Sequence, residues 1–182
     1  MTNSLKYGLI ALAGITLLFL YNKSSQKSYT LEAETIFDGK SEIINRIVIS
    51  ENEQILELVK NDSIWSITGN DSFVVTISKI DNIFDKVLNV RKEMLITSKE
   101  EKWSKFGVDD SLGKHFSIYD QSNNELGHYI FGNSGQDYQH NYIRKNQTSD
   151  VYRTDNNIYY LLNSSDSYWG SVPKKKNEVE PR

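Results

Sequence analysis

Three histidines, His115, His128 and His140, are the only imidazoles in this chain of 182 residues. Two or three of them with a carboxylate would be the minimum for a nitrogen–oxygen metal site. His128 and His140 could face each other across a hairpin turned at Gly132 to Gly135, with Asp137 near. Against this, histidines on alternating strand positions are ordinary polar surface residues, and no metal ligand is assigned. Asp109 and Asp110 could act as paired catalytic carboxylates. Adjacent acids in a loop ahead of a strand also form turns, which is the reading adopted. There is no cysteine, so disulfides, thiolate zinc sites, Cys-ligated iron–sulfur clusters and Cys nucleophiles are excluded. No nucleophile elbow, P-loop or GxGxxG occurs. Gly132 and Gly135 lie between two strands rather than between a strand and a helix, which disfavours a phosphate cradle. Catalytic, cofactor-binding and metal-binding residues are therefore all left unassigned, and the chain is read as a non-enzyme with no cofactor.

Aromatic side chains offer binding chemistry instead. Eight of the 11 tyrosines lie from Tyr119 onward. Tyr129, Tyr138, Tyr142, Tyr159 and Tyr160 could stack on sugars or on a protein partner. The plainer explanation is β-propensity. Trp65 and Trp103 each have apolar neighbours in their own element and read as core rather than as a platform.

These residues must be positioned by elements, and the hydrophobic patterning supplies them. Ile47-Val48-Ile49, Gln54 to Lys60 and Ser63 to Thr68 read as a three-stranded antiparallel meander with turns at Ser50 to Glu53 and Asn61-Asp62. Gln54 to Lys60 is apolar on both faces, which suggests partial burial on each side. Ile80, Ile83, Phe84, Val87 and Leu88 form one apolar stripe at helical spacing. Ser78 with Asp81, and Ser98 with Glu101, resemble capping boxes, and Gly107 suits the position after a helix. Met94 to Thr97, His115 to Tyr119, Glu125 to Phe131, Tyr142 to Arg144 and Val151 to Arg153 read as strands, with a short helix over Asp155 to Asn163. The fold class is α+β: antiparallel β-meanders each followed by a helix, suggesting two similar units, after an N-terminal transmembrane helix.

That first helix is expected from Tyr7 to Tyr21, an uncharged run bracketed by Lys6 and Lys23. It spans about 22 Å as a helix, and the flanking lysines can snorkel to extend its reach. No small-residue cleavage site follows, so an uncleaved signal anchor fits better than a cleaved leader. Residues 1–24 are read as the anchor, 25–41 as a polar tether, 42–170 as the domain and 171–182 as a disordered charged tail containing Lys174-Lys175-Lys176. Net charge is -3, which argues against a dedicated nucleic-acid binder.

Several of these steps resemble a family. Ile55 to Thr68 (ILELVKNDSIWSIT) is a strand, a polar turn and a strand carrying Trp65. An amphipathic helix follows at Ile80 to Leu88, and then an aromatic–Gly–hydrophobic–Asp step at Phe106-Gly107-Val108-Asp109. Phe131-Gly132 ends a strand, and Tyr142-Ile143-Arg144 with Val151-Tyr152-Arg153 completes the pattern. Over roughly residues 42–165 the chain resembles the domain-of-unknown-function family DUF4340. It departs by lacking a proline after Asp110. The resemblance implies a membrane-anchored, extracytoplasmic bacterial domain, accessory to an ABC-type transport or gliding-motility-related system, with no defined catalytic residues. The expected function is a single-pass membrane-anchored, non-catalytic interaction domain whose partners are the membrane and a protein. The alternative is a surface metal-dependent hydrolase or a glycan-binding module.

Overall fold

A computed structural model of the chain describes residues 6–8, 12–20, 34–133 and 138–173. Asp137, the tip of the Gly132–Gly135 turn, most of the expected tether and the tail beyond residue 173 lie outside the described residues. So do parts of the expected anchor. Residues 6–8 and 12–20 are helical, and the Thr16 hydroxyl donates to the Leu12 carbonyl one turn back. Among the described residues, no helix is long and apolar enough to cross a membrane.

The expected first meander is present. β1 (Arg46–Glu51), β2 (Gln54–Asn61) and β3 (Ile64–Ile67) pair antiparallel in succession. In β2, Leu56 and Leu58 are fully buried while Ile55 is 70% exposed. The strand is therefore one-sided at its start, where the sequence suggested burial on both faces. After β4 (Val74–Val75), helix α1 (Ile77–Asn82) continues as a π-turn over Ile83–Val87. The Leu88 N–H reaches the Ile83 carbonyl at 3.0 Å. Ile80, Ile83, Val87 and Leu88 are buried, so the expected stripe faces the core. Neither expected capping box forms: Thr76 stands at the start of α1 and Lys99 ahead of the next turn, neither with a side-chain cap.

β5 (Lys92–Thr97) is followed by two 3₁₀ turns, Glu100–Lys102 and Ser104–Phe106, in place of one helix. Gly107 ends them at φ +63, the left-handed conformation expected after a helix end. The second meander is β6 (Lys114–Tyr119), β7 (Glu125–Gly132), β8 (Tyr142–Lys145) and β9 (Val151–Thr154). A 3₁₀ turn at Tyr159–Leu161, helix α2 (Asp166–Trp169) and β10 (Gly170–Ser171) complete it, with β10 pairing β4.

The two meanders share one sheet. Among the described residues its order is β3-β2-β1-β6-β7-β8-β9-β5, antiparallel throughout. One face carries the main core: Ile47, Ile49, Leu56, Leu58, Phe116, Ile118 and Phe131 pack against α1 and against Ile158, Leu161, Leu162 and Trp169. Residues 34–44 join this face as well. Ile36 and Ile44 are buried, and the Ile36 N–H donates to the Val90 carbonyl, so part of the segment read as tether lies against the sheet. A smaller cluster of Val108, Ile130 and Val151, with Trp103, Phe106 and Tyr142, lies on the opposite face.

Candidate functional site

The opposite face is built from the Phe106–Asp110 step. The 3₁₀ turns lay Trp103 and Phe106 on the sheet, and the Phe106 ring tilts against Tyr142 with centroids 4.8 Å apart. Close approach there needs glycine on the strand below, since a Cβ at Gly132 would fall 1.9 Å from the Phe106 carbonyl oxygen. Arg144 rises from β8 into this contact and is only 2% exposed. Its Nε donates to the Val108 carbonyl at 3.0 Å and its Nη2 to Asp110 Oδ1 at 2.6 Å. Its guanidinium lies 3.7 Å from the Trp103 ring centroid. The Trp103 indole N–H in turn donates to the Ser149 carbonyl. A buried charge is tolerable only when paired and hydrogen-bonded, and Arg144 meets both conditions.

Asp109 and Asp110 do not act as a pair. Asp109 Oδ1 accepts from the backbone N–H groups of Ser111 and Leu112 and from the Ser111 hydroxyl. Burial works against its charge, but those hydrogen bonds outweigh it and hold the carboxyl below its ordinary range. Asp110 pairs with Arg144. Asp109 caps the turn at Ser111 and Leu112, while Asp110 ties the loop to Arg144 of β8.

Beside this loop, β6 and β7 bring two histidines together. His115 Nδ1 lies 3.0 Å from His128 Nε2. His115 Nε2 faces the Asp110 carbonyl at 3.1 Å, and His128 Nδ1 lies 3.9 Å from Glu125 Oε2. Burial, then the neighbouring His115, push the His128 imidazole below its ordinary pKa. His140 is occupied elsewhere, with Nδ1 2.7 Å from the Thr154 carbonyl and 3.8 Å from Glu93. The structure thus pairs His128 with His115, not with His140. Among the described residues, no group of three or more His, Cys, Asp or Glu is placed to hold a metal ion. Folding a hairpin at Asp120 to Asn124 would have brought His115 and His128 near each other from sequence alone. Arg144 carried no such signal.

The core-side face offers a cleft of about 430 Å³ where residues 34–38 cross β5, β7, β8 and β9. Lys92, Lys145, Tyr129 and Tyr152 line it with Glu34, Asp38 and Asp150. Lys92 pairs with Glu34 at 3.1 Å, and the Tyr152 hydroxyl donates to Asp150. The Tyr129 hydroxyl donates to the Ile36 carbonyl. Burial, with the Asp38 charge adding, pushes the Tyr129 phenol up to about 12. Burial and Asp150 also raise Tyr152. Both hydroxyls thus donate within the fold, Tyr129 to the Ile36 carbonyl and Tyr152 to Asp150.

The five tyrosines considered as a patch serve different places. Tyr129 is buried, Tyr142 packs on Phe106, and the Tyr159 hydroxyl donates to Glu51 while its ring sits 4.1 Å from Lys114 Nζ. Tyr138 and Tyr160 are exposed. Trp65 is core, tilted against Phe84 at 6.1 Å.

The profile of the domain-of-unknown-function family DUF4340 matches residues 65–170. That span runs from the tryptophan of β3 to the glycine of β10 and contains the Phe106–Asp110 loop, Arg144 and the histidine pair. No curated protein and no solved structure matches the chain.

Proposed function

Starting from a chain that belongs to the DUF4340 family, we propose that it is a membrane-tethered, non-catalytic interaction domain. The N-terminal helix is its anchor, and residues 34–173 stand outside the cytoplasm. The supporting observation is the state of the helical N-terminal residues. Leu12, Ile15, Leu17, Leu18, Phe19 and Leu20 are between 54% and 70% exposed. A helix that is apolar all round and unburied by its own domain finds its partner in lipid. The site chemistry favours binding over turnover. Arg144 and the Asp109–Asp110 loop are committed to structure, and the cleft tyrosine hydroxyls already donate within the fold. The family resemblance adds the finer reading that the partner belongs to an ABC-type transport or gliding-motility-related assembly.

Fractionation tests the anchor. The full chain should remain with membranes in the absence of detergent, while residues 28–182 alone should be soluble. Replacing Gly14 and Ile15 together by Lys should release the full chain, because each charge at the centre of a span costs about 2.5–3.5 kcal/mol. A full-length chain found in the soluble fraction would remove the proposal.

A further inference from the structure

We infer that His115 and His128 form a two-histidine chelate for a borderline divalent transition metal of the zinc, nickel or copper class. The site is separate from the cleft and does not depend on membrane anchoring.

It begins with strand register. Ser117 opposes His128, and His115 opposes Ile130, so the two histidines are diagonal neighbours on one face of the β6–β7 hairpin. That is the face opposite the main core, where Arg144 also lies. Two imidazole nitrogens bound to one metal at about 2.0–2.1 Å stand about 3.0–3.4 Å apart at ordinary coordination angles. The separation of His115 Nδ1 from His128 Nε2 is 3.0 Å.

The outer nitrogens strengthen the case. His115 Nε2 faces the Asp110 carbonyl, which can only accept, so this nitrogen carries the hydrogen and Nδ1 presents a lone pair. His128 Nδ1 faces the Glu125 carboxylate at 3.9 Å, another acceptor. In the metal-free chain the His128 Nε2–H then donates to His115 Nδ1 across 3.0 Å. A metal seated between the two nitrogens replaces that hydrogen, which moves to His128 Nδ1 beside Glu125. Metal-binding histidines are held in this way, with the distal N–H on a carboxylate or a backbone carbonyl. The loop that supplies the carbonyl is rigid, because Asp110 is tied to Arg144 and Asp109 caps Ser111 and Leu112.

Two nitrogens leave the remaining coordination positions to water or to a donor from a partner. The donor set selects imidazole-favouring ions, with copper above nickel and zinc, and leaves magnesium and calcium unbound.

The test uses the full chain in detergent, without a histidine tag, washed free of metal and titrated with zinc or nickel chloride. One equivalent should bind saturably, and the side-chain nitrogen resonances of His115 and His128 should move while those of His140 stay. His115→Ala and His128→Ala should each abolish saturable binding. Glu125→Gln should weaken it about tenfold, and His140→Ala should leave it intact. No saturable uptake by the wild-type chain would overturn the inference. So would binding that leaves the His115 and His128 resonances in place, an observation that needs no variant to fold. A hydrogen bond between the two inner nitrogens that persists at saturating zinc would count equally against it.

Discussion

Removing the Arg144 guanidinium strips three neighbours at once: the Val108 carbonyl, the Asp110 carboxylate and the Trp103 ring. Arg144→Ala should lower stability by roughly 2–4 kcal/mol, since a buried acceptor is orphaned and a void opens. Asp110→Asn should cost less, about 1–2 kcal/mol, because the Asn oxygen can still accept from Nη2 and the carboxylate end is 75% exposed, although buried Arg144 loses its countercharge. Denaturant midpoints of the two variants give the comparison, and equal losses would contradict this division of roles. Tyr129 and Tyr159 contribute to the alkaline limit. Burial is the main cause that raises each from 10.0 to about 12, with the nearby Asp38 charge adding at Tyr129 and the Glu51 charge at Tyr159. The unfolded chain therefore loses these protons first. The stabilisation is whole below about pH 10 and is lost as pH rises through about 12. Tyr129→Phe should make the fall in stability over that window shallower, read from unfolding curves at stepped pH. The sequence points from His128 across the Gly132–Gly135 turn to His140, whereas the contact is made across the β6–β7 hairpin to His115. His140 looked available in sequence, but the Thr154 carbonyl holds it.

At the scale of elements, what was legible followed periodicity. Ile80, Ile83, Val87 and Leu88 recur at helical spacing, so α1 and its continuation could be read directly, whereas the apolar residues on both faces of β2 gave the strand but not the exposure of Ile55. The π geometry after Asn82 could not be read, since the stripe of apolar residues survives a single wider turn. Nor could residues 34–44, where Ile36 and Ile44 are too few and too far apart to show a period. The 3₁₀ turns over Glu100–Phe106 replace an expected helix because the segment has only Trp103 and Phe106 to bury, and Gly107 stops it early. Asn141 was also invisible. It is fully buried, its side-chain oxygen accepts from the N–H groups of Ile158 and Tyr159, and its amide donates to Gly132. That knot fixes the turn leading into Tyr159–Leu161. At the start of the π-turn, Ile83→Ala should cost about 2–5 kcal/mol by opening a core cavity. Gly132→Ala should be comparably damaging, because its Cβ would meet the Phe106 backbone and the loop carrying Asp109 and Asp110 would have to lift. Loss of cooperative melting in Gly132→Ala would agree with this, and an unchanged melt would not.

For the whole molecule, the order of the sheet is the feature sequence could least supply. β1 beside β6 fuses two local meanders, and β5 crosses to the far edge against β9. Both joins are long-range pairings that no local pattern encodes. The fusion matters for the proposed role, since it gives one rigid sheet with a cleft on one face and the histidine pair on the other. On this reading, crosslinking in intact membranes should trap a protein neighbour through the domain beyond residue 34. Everything in the proposed role presumes that the apolar N-terminus stays on the chain. Intact-mass measurement of protein extracted from washed membranes tests this most directly. The account predicts a species that retains residues 1–23, at or near 21.0 kDa; a mature chain beginning beyond Lys23 would contradict it.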